Sequence, residues 1–304
     1  MLVTKISELP GHQNPIFTIE PSQKAGIIFT AGNDKGVVEW SLARMEFIKV
    51  MFPVRTSVYA LHCVPGKPLM AVGERSGEIG IFDFLEQKII ARLQHHQLPV
   101  FDLKSAPEKD ELLAASEDGT VSVWSLSDFK LVYRFPVAAD TVRVIAVAPT
   151  TNLVAFGCKD SMISVYNLLD YTLVCRLPGH TLPVTSLQFS PDERYLLSGS
   201  RDAQLKIWNV AGMNLHESIP AHLFTIYDIK FHPTLPFFAT ASRDKSIKLW
   251  SAEDFKLRRT ISREKGYDIH RLSINKIAWD PARGYLVSVG DDKLVMTWEI
   301  DPEE

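Results

Sequence analysis

The chain has 304 residues, 46% of them hydrophobic and 23% charged, which excludes a disordered chain and suits one soluble globular domain over residues 1–304. With 33 basic against 36 acidic residues the net charge is −3, so no global attraction to nucleic acid or to an acidic membrane is expected. Its three cysteines, Cys63, Cys158 and Cys175, form no Cys-x-x-Cys pair or Cys/His cluster; neither a metal nor a cofactor is expected, and reduced thiols point to a cytosolic setting. The opening stretch MLVTKISELPGH lacks the apolar run of a signal peptide, and no segment approaches the ~18 apolar residues that span a bilayer. A cytoplasmic protein is expected, or a nuclear one if the source is eukaryotic.

The predicted elements come in copies. In chain order, NDKGVVEW, RSGEIGIF, EDGTVSVW, KDSMISVY, RDAQLKIW, RDKSIKLW and DDKLVMTW each end in an aromatic residue. In six of them an Asp stands six positions earlier: Asp34/Trp40, Asp118/Trp124, Asp160/Tyr166, Asp202/Trp208, Asp244/Trp250 and Asp292/Trp298. The exception has Ser76 and Phe82 in those places. Stepping back 22 residues from each Asp position gives His12, Val54, His96, Ala138, His180, His222 and His270, which is five of the chain's nine histidines. Consecutive copies are 42 residues apart until the last step of 48, so about six residues are inserted between Ser251 and Ile269.

Four residues after each His position stands a β-branched apolar residue: Ile16, Val58, Val100, Val142, Val184, Ile226 or Ile274. Short alternating runs such as Val121–Trp124 and Leu205–Trp208 follow tight turns such as Asp118-Gly119, and no long helical period appears. Four short strands per copy make the blade of a propeller. An apolar residue three before the His position, such as Leu9, Leu93 or Leu177, ends an outermost strand in each copy. The seventh copy lacks its own outer strand, so Thr4–Leu9 is expected to supply it, beside Leu294–Glu299, and so close the fold without open edges.

The blocks LPGHTLPVTSLQFSPDERYLLSGSRDAQLKIWNV and AHLFTIYDIKFHPTLPFFATASRDKSIKLW resemble WD40 repeats, and the resemblance covers essentially the whole chain. It implies an all-β, seven-bladed β-propeller. The Trp-Asp dipeptide itself is missing: Ser41, Ser125, Asn209, Ser251 and Glu299 follow the tryptophans, and only Phe82-Asp83 approximates it.

In this family a His, a Ser or Thr two before the Asp, the Asp and the Trp form a hydrogen-bonded tetrad. The resemblance implies full sets at His96/Ser116/Asp118/Trp124, His180/Ser200/Asp202/Trp208 and His222/Ser242/Asp244/Trp250. A His/Ser/Asp set also suggests a hydrolase. Repetition in several blades and the lack of a Gly-x-Ser-x-Gly elbow favour structural staples, and catalytic residues are expected to be none. The copies with Val54 and Ala138 should be the least reinforced.

The resemblance also implies partner binding on the top face around the central channel, by residues five after the His and just before the Asp. The first set is Phe17, Tyr59, Phe101, Arg143, Thr185, Tyr227 and Asn275. The second is Asn33, Arg75, Glu117, Lys159, Arg201, Arg243 and Asp291. Four aromatics and five cations are the residue types that carry interface energy and bind carboxylate or phosphate. The expected function is a non-catalytic scaffold or adaptor, monomeric within a larger complex, taking acidic or phosphorylated segments of other proteins. The alternative is an RNA or ribonucleoprotein subunit, against which the sequence pI of about 6.3 stands. Channel carboxylates are confined to Glu117 and Asp291, so a propeller enzyme is not expected. No Trp-Asp-x-Arg motif supports a ubiquitin-ligase adaptor, and a start directly at the closing strand argues against a G-protein β subunit. The inserted stretch, residues 260–269, reads as tolerated length; as a recognition loop, Tyr267 would be its contact.

Overall fold

The structure, a computed structural model, describes residues 1–302. The β-branched residue four after each His position opens the first strand of a sheet, and all seven are fully buried. Each sheet then meanders outward through tight turns, antiparallel throughout.

Strand β1 is Leu2–Leu9. The first sheet follows: β2 (Ile16–Pro21), β3 (Ile27–Gly32), β4 (Gly36–Ser41) and β5 (Glu46–Pro53). The second has β6 (Val58–Cys63), β7 (Leu69–Glu74), β8 (Glu78–Asp83) and β9 (Lys88–Gln94). The third has β10 (Val100–Ala106), β11 (Glu111–Ser116), β12 (Thr120–Ser125) and β13 (Leu131–Pro136). The fourth has β14 (Val142–Ala148), β15 (Leu153–Cys158), β16 (Ile163–Asn167) and β17 (Leu173–Leu177). The fifth has β18 (Val184–Phe189), β19 (Tyr195–Ser200), β20 (Gln204–Asn209) and β21 (Asn214–Pro220). The sixth has β22 (Ile226–Phe231), β23 (Phe237–Ser242), β24 (Ile247–Ser251) and β25 (Leu257–Ile261). The last comprises β26 (Ile274–Trp279), β27 (Leu286–Gly290) and β28 (Val295–Asp301), with β1 as its fourth strand in the order β1-β28-β27-β26. The fold is thus an all-β, seven-bladed propeller whose N-terminal strand closes the last blade. Leu2 faces Asp301 and Leu9 faces Val295, so the expected closure is present and begins two residues earlier than the sequence pattern suggested.

The chain divides into two compact units. One joins Met1–Val58 with the stretch from Ile226 onward, and holds the first, sixth and seventh sheets. Its core gathers Trp40, Trp298, Ile28, Leu249 and Leu286. Here Asp228 Oδ2 accepts the Ile277 amide at 3.1 Å, tying the sixth sheet to the seventh. The other unit, Tyr59–Thr225, holds the four sheets between. In it Asp102 Oδ2 accepts the Ile145 amide at 2.8 Å, and the Glu193 carboxylate accepts the Thr150 and Thr151 amides at 3.0 and 2.6 Å. Satisfying amides of an adjacent sheet with buried or half-buried carboxylates locks neighbouring blades in register.

The fourth sheet, which lacks its His, is reinforced by other means. Phe135 packs against Tyr166, Phe156 and Tyr171 with ring centroids 5.1, 5.9 and 5.5 Å apart. Aromatic packing of this kind contributes about 0.5–1.5 kcal/mol per pair beyond burial. The sheet is therefore reinforced by packing where its neighbours use a polar staple.

Candidate functional site

The polar staples are built around a hydroxyl at a different position from the one read in the sequence. In the fifth sheet, Trp208 Nε1 donates to Ser198 Oγ at 2.8 Å, His180 Nε2 lies 2.8 Å from the same oxygen, and His180 Nδ1 lies 3.0 Å from Asp202 Oδ2. One proton arrangement satisfies the chain: indole N–H to hydroxyl, hydroxyl to Nε2, Nδ1–H to carboxylate. Ser200 instead donates to Leu182 O at 2.8 Å and accepts the Asp202 amide at 3.1 Å, so it shapes the turn. The reason is reach. Trp208 pairs with Leu196 across the strands, and its indole extends two residues toward the turn, level with Ser198.

The same correction applies to Ser116 and Ser242. Ser116 donates to Leu98 O at 3.3 Å and accepts the Asp118 amide, while Ser242 accepts the Asp244 amide at 3.0 Å and Trp250 donates to Thr240 at 2.9 Å. In the third sheet the corresponding residue is Ala114, which has no hydroxyl. Its direct cross-strand partner Ser122 takes over, 2.8 Å from both His96 Nε2 and Trp124 Nε1. Two staples were not singled out in the sequence, because Gly32 and Gly290 stand two before their Asp. They are His12/Thr30/Asp34/Trp40, with contacts of 2.6–2.7 Å, and His270/Ser288/Asp292/Trp298, with contacts of 2.8–3.0 Å. A Ser or Thr four before the Asp was the available signal.

These groups are structural in their electrostatics as well. Burial works to raise the Asp202 carboxyl, but hydrogen bonds from His180, the Thr181 amide and the Gln204 amide hold it at about 2. Asp118 is likewise held at about 2 against burial, by His96 and Thr120. Burial pushes the His12 imidazole down, toward its neutral form. A neutral imidazole is the form the staple uses.

The partner-binding candidates share a backbone feature that no sequence pattern displayed. In the first strand of six sheets the ladder skips one residue, and the skipped residues are Phe17, Phe101, Arg143, Thr185, Tyr227 and Asn275. Each sits in a β-bulge, which bends the strand and re-aims the side chain. The residue before the Asp is held alongside: its amide bonds the carbonyl just before the first strand, as Glu117 to Pro99 (2.9 Å), Lys159 to Thr141 (3.0 Å) and Arg201 to Pro183 (3.0 Å). In the seventh sheet the two kinds of residue touch, Asn275 Nδ2 donating to Asp291 Oδ1 at 2.7 Å.

Within the Tyr59–Thr225 unit two of the bulge residues, Phe101 and Arg143, stack together with Tyr59. The Arg143 guanidinium lies 4.2 Å from the centre of the Phe101 ring, and Tyr59 meets Phe101 edge-on at 5.2 Å. Arg75, Lys159 and Arg201 are exposed in the same unit, with Lys159 paired to Asp140 at 2.9 Å; Thr185 is buried, its hydroxyl donating to Gly199 O at 3.2 Å. This unit also exposes Leu98, Leu182, Leu223 and Phe224, apolar residues that sequence reading missed although Leu98, Leu182 and Phe224 each stand two after a His. In the other unit Phe17 and Tyr227 are half-buried, and Asn33 and Arg243 are exposed, with Asn33 accepting the Ser57 hydroxyl at 2.6 Å.

The inserted stretch is folded. After β25, Arg263–Lys265 make one 3₁₀ turn ended by Gly266 at φ 85°, a left-handed conformation that suits glycine. Tyr267 packs on the core of its unit, and its hydroxyl accepts Arg259 Nε at 3.0 Å. No group of three or more His, Cys, Asp or Glu side chains among the described residues is arranged to hold a metal ion. No helix among them is long and apolar enough to cross a membrane.

The family model described as "WD domain, G-beta repeat" matches residues 87–125, 171–209, 213–251 and 262–299, together just over half of the chain. The first three matches each run from the outer strand of one sheet through the third strand of the next, the same one-strand offset that lets β1 complete the last sheet. No curated protein matches the chain.

Proposed function

Because the chain belongs to the WD40-repeat family, whose propellers generally serve as protein-interaction scaffolds, we propose that it is a non-catalytic adaptor that takes an acidic segment of a partner protein on its bulge residues. The observation that carries this reading is the bulge at the same place in six sheets, set beside the residue that precedes the Asp. A bulge gives up ladder pairing to present a side chain, and here it presents Phe101 and Arg143 in the Tyr59–Thr225 unit and, separately, Phe17 and Tyr227 in the other. The exposed Arg75, Lys159 and Arg201 of the Tyr59–Thr225 unit, and Arg243 in the other unit, each supply donors for carboxylate or phosphate. The His/Ser/Asp sets are committed to indole-anchored staples, so they offer no free nucleophile.

The stack of Tyr59, Phe101 and Arg143 also suits a nucleic-acid base, so an RNA-binding subunit is the second reading. The test is affinity capture with the native chain and a folded Arg75→Glu/Arg201→Glu/Arg243→Glu variant, followed by binding of the purified partner at several salt concentrations. Loss of specific acidic partners in the variant supports the adaptor. Retention of all partners overturns the site. A steep fall of binding with salt, with RNA in the captured material, favours the second reading.

A further inference from the structure

The outer edge of the sixth sheet differs from a plain solvated strand. β25 pairs with β24 alone among the described residues, so its outer backbone groups form a sheet edge. The inserted stretch folds back beside that edge. Tyr267 is held by the core and by Arg259, and a groove of about 370 Å³ opens between Leu257, Arg258, Arg259, Thr260, Lys265 and Tyr267.

The groove is cationic. Residues 254–268 hold five basic and three acidic residues in a chain that is acidic overall. Asp254 pairs with Arg258 at 3.2 Å and Lys256 at 3.6 Å, which offsets two of the five cations, and Asp268 is drawn away to Lys5 at 2.6 Å. Arg259, Arg263 and Lys265 are exposed and form no ion pair among the described residues. Arg259 commits its Nε to the Tyr267 hydroxyl, which leaves the two terminal amino groups of its guanidinium for a ligand.

We propose that this edge is a second docking surface, which receives an extended acidic segment of a partner protein as an added strand on β25. Main-chain hydrogen bonds to the edge provide affinity that does not depend on sequence. Alternate side chains of an added strand point to one face, so its carboxylates meet Arg259 and Lys265 while apolar residues between them face the other way. Tyr267 and Leu257 line the same groove as Arg259 and Lys265, where the methylene stems of the carboxylate side chains pack. Charge complementarity selects the occupant: a basic segment is repelled, and an isolated anion leaves the strand edge unused. The surface is separate in sequence and chemistry from the bulge residues, so it stands or falls independently of the adaptor site.

The experiment uses the full chain and a fluorescein-labelled decapeptide of alternating glutamate and valine, with anisotropy as the readout. Binding weakened by roughly tenfold or more in Arg259→Glu/Lys265→Glu, and unchanged in Lys24→Glu/Lys130→Glu, which reverses two exposed cations outside both surfaces, is the expected result. A peptide of the same charge with proline at alternate positions cannot extend the ladder and should also bind roughly tenfold more weakly. Hydrogen exchange should show added protection at the amides of residues 257–260. Equal binding of the proline peptide, no effect of the edge variant, or an equal loss in the Lys24/Lys130 variant each overturns the proposal. Thermal melting of the edge variant guards against misfolding, and Lys265→Gln alone, an exposed change, should weaken the peptide in the same direction.

Discussion

Lys5 Nζ lies 2.6 Å from Asp268 Oδ2, which joins the strand at the beginning of the chain to the inserted stretch that precedes the seventh sheet. The same ammonium reaches Glu8 at 2.6 Å. The contact is exposed on the Asp268 side, so it orients β1 more than it holds it; the holding is done by the ladder to β28 and by buried Val3 and Leu9. Deleting residues 1–9 should therefore lower the melting temperature sharply and expose the β28 edge to aggregation. Asp268→Asn should change melting little, with the difference vanishing at high salt. Scanning calorimetry and light scattering check both. An unchanged melting temperature in the deletion would show that closure by β1 is not what stabilises the last blade.

The position of the staple hydroxyl makes a second prediction. Ser198→Ala should cost about 1–3 kcal/mol, because it strips a buried hydroxyl from both His180 and Trp208. In the third sheet, Ser122→Ala should be comparably harmful, and adding Ala114→Ser should recover much of the loss by moving the hydroxyl to the place Ser198 occupies in the fifth. Urea unfolding of the three variants measures this. Failure of the double variant to recover would mean that the cross-strand pair is not interchangeable.

Acid should unfold the protein through its staple carboxylates. Asp118 and Asp202 are held at about 2, below the ordinary value of 3.8. A carboxyl whose folded value is depressed stabilises the fold above its unfolded value, and that stabilisation is lost as pH falls from about 4 through about 2. Melting temperature should accordingly drop across that window. Asp202→Asn should start less stable and show a shallower drop there; an identical slope would remove Asp202 from the account.

Binding and stability should separate at Phe101. Its ring is half-buried between Arg143 and Tyr59, so Phe101→Ala should weaken the partner by roughly tenfold or more while moving the melting temperature little. Titration calorimetry with the captured partner and a parallel melt distinguish the two. A large loss of stability with intact binding would make the stack a packing feature.

The thiols should differ in reactivity. Cys158 is fully buried and burial pushes its thiol up to about 12, so it should resist alkylation in the native protein. Cys175 is partly exposed and should be modified first, though slowly, since burial raises it too. Mass-spectrometric mapping after brief iodoacetamide treatment gives the order.

What the sequence determined by itself was the repeat and everything that follows from local periodicity. The spacing of 22 between His and Asp, the apolar residue opening each first strand and the aromatic ending each third strand are local events, repeated until chance is excluded. Even the closure by the N-terminal strand was legible, since the seventh copy lacked an outer strand that the start of the chain matched. Tertiary structure decided what depends on reach across strands. Ser200 and Ser198 both stand close before Asp202, and only the depth to which the Trp208 indole extends selects Ser198. Ser122 replaces the missing hydroxyl of position 114 because the two residues face each other in the ladder, a relation of register and not of spacing. The bulges at Phe101 and Arg143, and the groove that Tyr267 forms against β25, arise where backbone pairing is skipped or where a folded insertion meets an edge. Such events depend on hydrogen bonds between residues far apart in the chain, and a linear pattern carries no record of them.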